Sequence, residues 1–327
     1  MMPHYPQRSE AIHLKSGPEM PIYLNEQQAA ELVDMPAAVA AVREAFVAQA
    51  QGEAVNIPRA RLAFGKRRLN LMAGGGRGGE RYAIKSYGSS SYHILLYSAE
   101  QGLLAFMEAN LLGQMRTGAA SAVATQVMAR PDTGKVALIG AGRQARTQIL
   151  ALHAVGYAKE VAVFARNRDK REAFCERLAT ELGLPVRAAA TAKEAVKGAD
   201  VVVTATNAST PVLMSEWLAP GTHVNAMGAN AANRRELDPQ VVMRAATVAT
   251  DDVEQARNEA AEFIDLAAEG WLDWAQVVPL HRIVAGEFRR ERDAITLFKS
   301  LGVGLEDLAI ASLVYDRAMA SGRFKPL

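Results

Sequence analysis

Gly140-Ala141-Gly142-Arg143-Gln144-Ala145 stands between the apolar run KVALIG and a helical pattern, and that setting suggests its chemistry. In a G-x-G-x-x-A turn, Gly140 permits the tight bend, Gly142 lets backbone approach a pyrophosphate, and Ala145 lets the helix pack closely on the strand. The helix start offers free N–H groups and the positive end of its dipole to phosphate, so a dinucleotide site is expected. Where an NAD-type site carries an acid for the ribose 2′-hydroxyl, this chain has Ala165-Arg166-Asn167-Arg168. Two guanidiniums and an amide suit a 2′-phosphate. NADP(H) is therefore expected ahead of NAD(H), although arginine stacked on adenine would also serve NAD(H). Thr206 ends DVVVTAT and Met227 closes THVNAM, which puts both at the carboxyl edge of the same sheet, Met227 fitting a core position equally well.

Three basic residues form a second group. Arg59 follows Pro58, Lys85 sits in YAIK, and Arg116 interrupts LLGQMRTGAASAVA. A charge in apolar surroundings needs a partner or a cavity. Taken singly, a buried ion pair for Arg116, a strand edge for Lys85 and a surface charge for Arg59 would each suffice.

The elements that must position these residues are legible in outline. A polar tail to about residue 20 precedes a short strand at Pro21 to Leu24, a helix capped by Asn25, and a second helix from Ala37 to Gln51. RARLAF, RLNLMAG, YAIKSYG and YHILLYS read as short strands, with Gly74-Gly75-Gly76 and Gly78-Gly79 marking a mobile hairpin tip. Asn110 to Met128 is a long alanine-rich helix stopped before Pro131. Thereafter KVALIG, EVAVFAR, a strand near Val186, DVVVTAT, THVNAMG and ATVATD alternate with helical segments, the texture of βαβ units. Ile295 to Ser321 reads as one amphipathic helical stretch.

The whole composition fits that outline. A chain of 327 residues, 50% apolar and 22% charged, has material for two domains and is not a disordered chain. Its net charge of +2 gives no electrostatic case for nucleic acid or membrane partners. The single Cys175 excludes internal disulfides and multi-cysteine metal sites, and the six histidines lack HxxxH spacing, so no metal is expected. Met1 to Lys15 is polar with Pro3 and Pro6, and no apolar window nears the roughly 18 residues of a membrane span. A cytoplasmic enzyme is expected.

Taken together, IPRARL, LNLMAG, YAIKSYG, LLGQMRTGAASAVAT, GAGRQA, TATNASTPVL, MGANAANRRELD and LFKSLGVGLEDLA resemble the ornithine cyclodeaminase/mu-crystallin family over most of the chain. The resemblance implies an α/β protein, with a doubly wound Rossmann-type NAD(P) domain (129–303) inserted in a mostly β substrate and dimerisation domain (1–128 plus 304–327). It implies a homodimer paired through the β domains. It gathers Arg59, Lys85 and Arg116 around the α-carboxylate of an amino or imino acid, with Asn70 and Met72 lining the pocket. Three cations in a closed site can orient a carboxylate, and they are more positive charge than a site would leave without an anion. Lys85 has a second implied role as proton donor to the substrate nitrogen, since burial among cations lowers a lysine pKa. Thr117 would face the cofactor phosphates, and Lys299 and Ser300 would approach the cofactor from the domain junction.

Two positions depart from the family's cyclodeaminases. Counting back from Glu236-Leu237, their G-x-D aspartate falls on Asn230, and the glutamate two residues before the strand methionine falls on Asn70. An amide cannot serve as a base but still hydrogen-bonds an imine nitrogen. The expected function is therefore NAD(P)H-dependent reduction of a small α-imino acid, Δ1-pyrroline-2-carboxylate to L-proline first. Open-chain imino acids leading to alanine or aspartate come next, then ornithine cyclodeamination, then a non-catalytic NADPH-binding protein.

Overall fold

Side-chain caps start the chain's first helices. Asn25 Oδ1 accepts from the Gln28 N–H at 2.9 Å while the Gln28 side chain accepts from Asn25, so α1 (Glu26–Glu31) begins directly after β1 (Ile22–Leu24). Asp34 caps α2 (Met35–Ala50) two residues ahead of the expected start, with Pro36 in the first turn. The computed structural model describes residues 20–76, 80–88 and 90–324. The polar tail and Gly78-Gly79 lie outside the described residues.

Five antiparallel strands follow: β2 (Val55–Phe64), β3 (Arg67–Gly76), β4 (Arg81–Tyr87), β5 (Tyr92–Ser98) and β6 (Gly102–Glu108). With β1 parallel to β6, they make a six-stranded sheet in the order β1-β6-β5-β4-β3-β2. Strand β6 was not legible, because GLLAFME has no alternation to separate it from the helix behind it. Gly74 to Gly76 form the end of β3, not a hairpin tip. A Cβ on Gly74 would lie 2.7 Å from the Leu305 backbone, so the glycine admits another backbone at close range.

After α3 (Asn110–Met128) come β7 (Lys135–Ile139), α4 (Ala145–Ala154), β8 (Glu160–Phe164), α5 (Arg168–Leu182), β9 (Val186–Ala188), α6 (Ala192–Val196), β10 (Val201–Thr204) and β11 (His223–Ala226). The chain continues through α7 (Pro239–Arg244), β12 (Thr247–Thr250), α8 (Val253–Glu259), α9 (Ala261–Ala268), β13 (Val277–Pro279), α10 (Leu280–Val284), β14 (Thr296–Lys299) and α11 (Gly304–Ser321). The eight strands β7 to β14 form one parallel sheet, β13-β12-β14-β11-β10-β7-β8-β9. Winding runs outward in opposite directions from the β10–β7 pair, which is the doubly wound α/β order, and the crevice at the carboxyl ends of those strands is where such sheets bind ligands.

The stretch from Ile295 to Ser321 is not one helical unit. Thr296–Lys299 is wholly buried as strand β14 between β11 and β12, and only from Gly304 does the helix begin. Periodicity cannot separate a short buried apolar strand from a buried helical turn. Helix α11 then returns to the first sheet and packs on β3, β4 and α2. One apolar core joins α2, α3 and α11 with Leu280 and Ile283 of α10 and Phe298 of β14.

Helices α3 and α4 meet through Gly118, where a Cβ would overlap the Thr147 carbonyl oxygen. Gly118→Ala should therefore destabilise the protein by about 1–3 kcal/mol, even though alanine is the better helix former. Urea denaturation of the two proteins measures this, and an unchanged or raised midpoint would refute the tight crossing.

Candidate active site

A cleft of about 1270 Å³ opens between the carboxyl ends of the parallel strands and the inward row of β2 to β5 that carries Arg59, Asn70, Lys85 and Tyr92. Its dinucleotide half is built by backbone. Gly140 has φ +118°, its N–H donates to the Phe164 carbonyl at 2.8 Å, and a Cβ would overlap the Ala205 carbonyl. Only glycine holds that conformation without strain. Nothing lies within 4 Å of a Cβ on Gly142, so the chain is bare toward the cleft, while Ala145 is buried against the sheet. Helix α4 starts without a side-chain cap, and Gly142, Arg143 and Gln144 line the cleft at that uncapped end. Those free donors and that open glycine fit a nicotinamide dinucleotide's pyrophosphate. Arg143 adds a charge held over the Tyr92 ring at 4.8 Å and against Asn110 Oδ1 at 3.3 Å. Thr117 lines the cleft from α3, its hydroxyl donating to the Gly113 carbonyl at 2.7 Å.

At the end of β8 the expected basic pair divides. Arg166 lines the cleft together with Asn167 and Lys170. Arg168 does not: its side chain is 77% exposed and pairs with Glu172 one turn along α5 at 2.8 Å. Asn167 Oδ1 is engaged in capping α5, accepting from the Lys170 N–H at 2.8 Å. Lys170, which the sequence reading passed over, puts a second cation where Arg168 was expected, within the first turn of the helix.

Thr206 and Met227 line the floor, and fully buried Glu236 fixes the backbone there. One Glu236 oxygen accepts from the Thr206 N–H and hydroxyl at 2.7 and 2.8 Å, the other from the Gly228 and Ala229 N–H groups at 2.7 and 3.0 Å. A single carboxylate thus ties together the loops leaving β10 and β11. Ser300 lines the cleft, but Lys299 does not: it is sealed against Glu262 at 3.2 Å, because its position in β14 turns it away from the cavity.

The substrate half rests on the cations. Lys85, Arg116 and Arg59 all line the cleft and all are buried. Room for two of them comes from missing side chains: a Cβ on Gly113 would stand 2.7 Å from Lys85 Nζ, and one on Gly302 would overlap the Arg116 guanidinium. These cations do not lack anions, contrary to the expectation. Lys85 Nζ bonds Asp307 Oδ1 at 2.8 Å, and Arg116 bonds Glu306 through Nη1 at 2.6 Å and Asp307 through Nε at 3.2 Å. Arg59 bonds Glu259 at 2.6 Å and the Leu301 and Gly302 carbonyls at 2.7 and 2.9 Å. The acids stand behind the cations, buried and outside the lining of the cleft. Lys85 keeps two further N–H donors and Arg116 its Nη2, whereas Arg59 is largely committed to Glu259 and the two carbonyls.

Burial, with Arg116 and Arg59 alongside, lowers Lys85 to about 8 against the opposing pull of Asp307. Burial likewise pushes Glu306 up to about 8, Arg116 offsetting only part of the effect and Asp251 adding to it. Asp251 is itself raised by burial and accepts from the Leu301 and Gly302 N–H groups at 2.8 and 2.7 Å.

Asn70 and Asn230 line the same end of the cleft; Asn70 donates to the Tyr87 carbonyl at 3.2 Å. Met72 does not reach it, lying 2% exposed directly across from Lys85 in the β3–β4 register. Sequence reading missed Glu306 and Asp307, although they stand in LFKSLGVGLEDLA. It also missed the parallel Tyr87–Tyr92 pair, with rings 5.5 Å apart, which forms a wall of the cleft.

The model of the ornithine cyclodeaminase/mu-crystallin family matches residues 21–322. The ketimine reductase mu-crystallin of Mus musculus is 35% identical over 242 residues, 74% of this chain and 72% of that protein. The structure of Thermococcus litoralis Δ1-pyrroline-2-carboxylate reductase in complex with NADH and L-proline superposes with a TM-score of 0.89 at 31% identity, covering 94% of this chain and 100% of that one. An archaeal alanine dehydrogenase dimer with bound NAD superposes at 0.86 with 29% identity, over 92% of this chain and 97% of that one. With its fold, its glycine turn and the match across nearly its whole length, the chain belongs to the ornithine cyclodeaminase/mu-crystallin family.

Proposed function

We propose that the cleft reduces a small cyclic α-imino acid, Δ1-pyrroline-2-carboxylate to L-proline first, with NADPH preferred over NADH. The enzyme is a nicotinamide-dependent oxidoreductase acting on imines, and its substrate and cofactor preference are what is proposed. One observation carries the reading: Lys85 and Arg116 present unused donors to the cleft from a bed of buried acids, while both acid positions of a deamination are the amides Asn70 and Asn230. A nicotinamide dinucleotide held at Gly140, Gly142 and the start of α4 would supply the hydride for the imine carbon. Arg116 Nη2 and a Lys85 N–H hold the α-carboxylate and orient that carbon. Lys85, at about 8, stays mainly an ammonium at neutral pH and gives its proton easily to the nitrogen that becomes the amine. Asn230 accepts a hydrogen bond from that nitrogen without taking its proton. A second reading, reduction of an open-chain imino acid with another carboxylate, is favoured by Arg68, a further cation lining the same end, whereas Arg61 there is already paired with Glu259 and donates to the Asn230 carbonyl.

NADPH preference is supported by Arg166 and Lys170 at the cleft wall, with no carboxylate among the lining residues there. The proposed partner is a second copy of this chain. Val55, Ile57, Leu62 and Phe64 of β2, an edge strand, are 61–88% exposed, and Leu69, Leu71, Tyr82 and Ile84 extend the apolar face over β3 and β4. An exposed apolar patch of that extent marks an interaction surface. No helix among the described residues is long and apolar enough to cross a membrane.

Lys85→Met and Arg116→Met should each lower kcat/KM for Δ1-pyrroline-2-carboxylate by at least about 100-fold, the scale of a lost charge-assisted bond plus a lost proton donor. NADPH titration by fluorescence should remain unchanged in both, and full activity in both variants would remove the carboxylate clamp. Replacing Arg166 and Lys170 together by alanine should weaken NADPH about 10- to 100-fold more than NADH, whereas Arg168→Ala should leave the ratio alone. Equal losses for both cofactors would show that these cations do not read a 2′-phosphate. Leu62→Asp with Phe64→Asp should convert a dimer to a monomer in sedimentation equilibrium, and an undisturbed dimer would place the interface elsewhere.

A further inference from the structure

The Lys85 ammonium is caught between groups that oppose one another. Arg116 from α3 and Arg59 from β2 repel it, the Tyr87 ring of its own strand lies 5.7 Å away, and Asp307 from α11 holds it at 2.8 Å. Asp307 is wholly buried, sits in the first turn of α11, and uses the same oxygen, Oδ1, for Arg116 Nε at 3.2 Å. Its Oδ2 is sealed with no partner. The helix end cannot retreat easily, because Gly304 and Gly74 bring the start of α11 into backbone contact with β3. Glu306 and Asp251 stand behind Arg116 and do not bond Lys85.

We infer that Asp307 is the positioning residue for the proton donor: through one oxygen it sets the spacing of Lys85 Nζ and Arg116 Nε and keeps the ammonium charged at the cleft wall. The inference rests on the reading of Lys85 as the donor. Asp307 touches neither cleft nor substrate, so its effect passes through Lys85 and Arg116. The sign follows from the charges. Burial and two arginines push the proton off Lys85, and Asp307 opposes them. Without its charge the ammonium is lost at lower pH, and a rate that needs the ammonium falls earlier as pH rises.

The test is the pH profile of kcat/KM for Δ1-pyrroline-2-carboxylate with NADPH in the wild type, Asp307→Asn and Asp307→Glu. The wild-type rate should fall on the alkaline side near pH 8, following Lys85. In Asp307→Asn that limb should move down by about one pH unit, so the rate loss should grow from about threefold at pH 6 to about twentyfold at pH 8.5. Asp307→Glu, which keeps the charge, should lose rate at every pH while its limb moves by less than about 0.3 unit. A loss in Asp307→Asn that is equal at all pH values, or a limb in Asp307→Glu displaced by a full unit, would overturn the inference. If Asp307→Asn does not accumulate folded, Asp307→Glu decides alone, joined by 15N NMR of lysine-labelled wild type with the Lys85 signal assigned by its absence in Lys85→Met. That nitrogen should titrate near pH 8 and stay there within about 0.3 unit in Asp307→Glu, and a displacement of a full unit in the variant would overturn the inference. Activity retained by Lys85→Met would defeat the donor reading itself, whereas an inactive Lys85→Met beside an unshifted Asp307→Asn would defeat only the positioning role.

Discussion

Everything in this molecule turns on four buried charges that cannot be separated. Lys85 and Arg116 reach the cleft wall, and the acids that neutralise them, Glu306 and Asp307, lie some two hundred residues further along the chain. Removing either side would leave an unpaired charge in the interior, at a cost of about 3–5 kcal/mol. The chain must therefore come back. It leaves the six-stranded sheet after α3, completes the parallel sheet, and returns through β14 and the Ser300–Val303 turn to set α11 against β3. The ion pairs and the topology are one constraint seen from two sides.

Close packing around those charges accounts for glycines that neither turn nor end an element. Gly113 lies inside a helix and Gly74 inside a strand, where the residue weakens both. Each is explained by what occupies the absent side chain's space: the Lys85 ammonium in one case, the Leu305 backbone in the other. Gly302 combines this with a positive φ of +76°, so it turns the chain from β14 and clears the Arg116 guanidinium at once.

Legibility followed how local the determining physics is. The G-x-G-x-x-A turn, the apolar strands β7, β8 and β10 and the long helix α3 depend on neighbours in sequence, and they were readable with bounds near the observed ones. Strand β14 was not, because four residues buried on both faces carry no period. Arg166 and Arg168 are two positions apart, and which of them faces the cleft depends on where α5 begins; Asn167, as its cap, puts Arg168 at the first helical position and Lys170 two residues further in, on the other side of the helix. Glu306 and Asp307 fall inside the expected amphipathic stretch, and only the start of α11 at Gly304 makes them its acidic first turn. Their partners lie on β4 and α3, and sequence spacing carries no trace of that pairing.

The compensated clamp changes the account of how an anion is recognised. Three bare cations would attract any small acid, but here each cation already has a carboxylate behind it, so net charge alone offers a substrate little. What remains is direction: unused N–H donors of Lys85 and Arg116 point into the cleft with their carbon frames fixed from behind. Burial pushes Glu306 up to about 8 against the pull of Arg116, so its carboxylate is costly to keep charged and only partly answers the guanidinium. An entering carboxylate takes the donors that remain. An α-imino acid brings such a carboxylate and holds its nitrogen next to it, within reach of Lys85. A neutral imine would bring no charge and leave the same donors unpaired against it, so discrimination arises from the cost of those unmet bonds as much as from attraction to the right substrate.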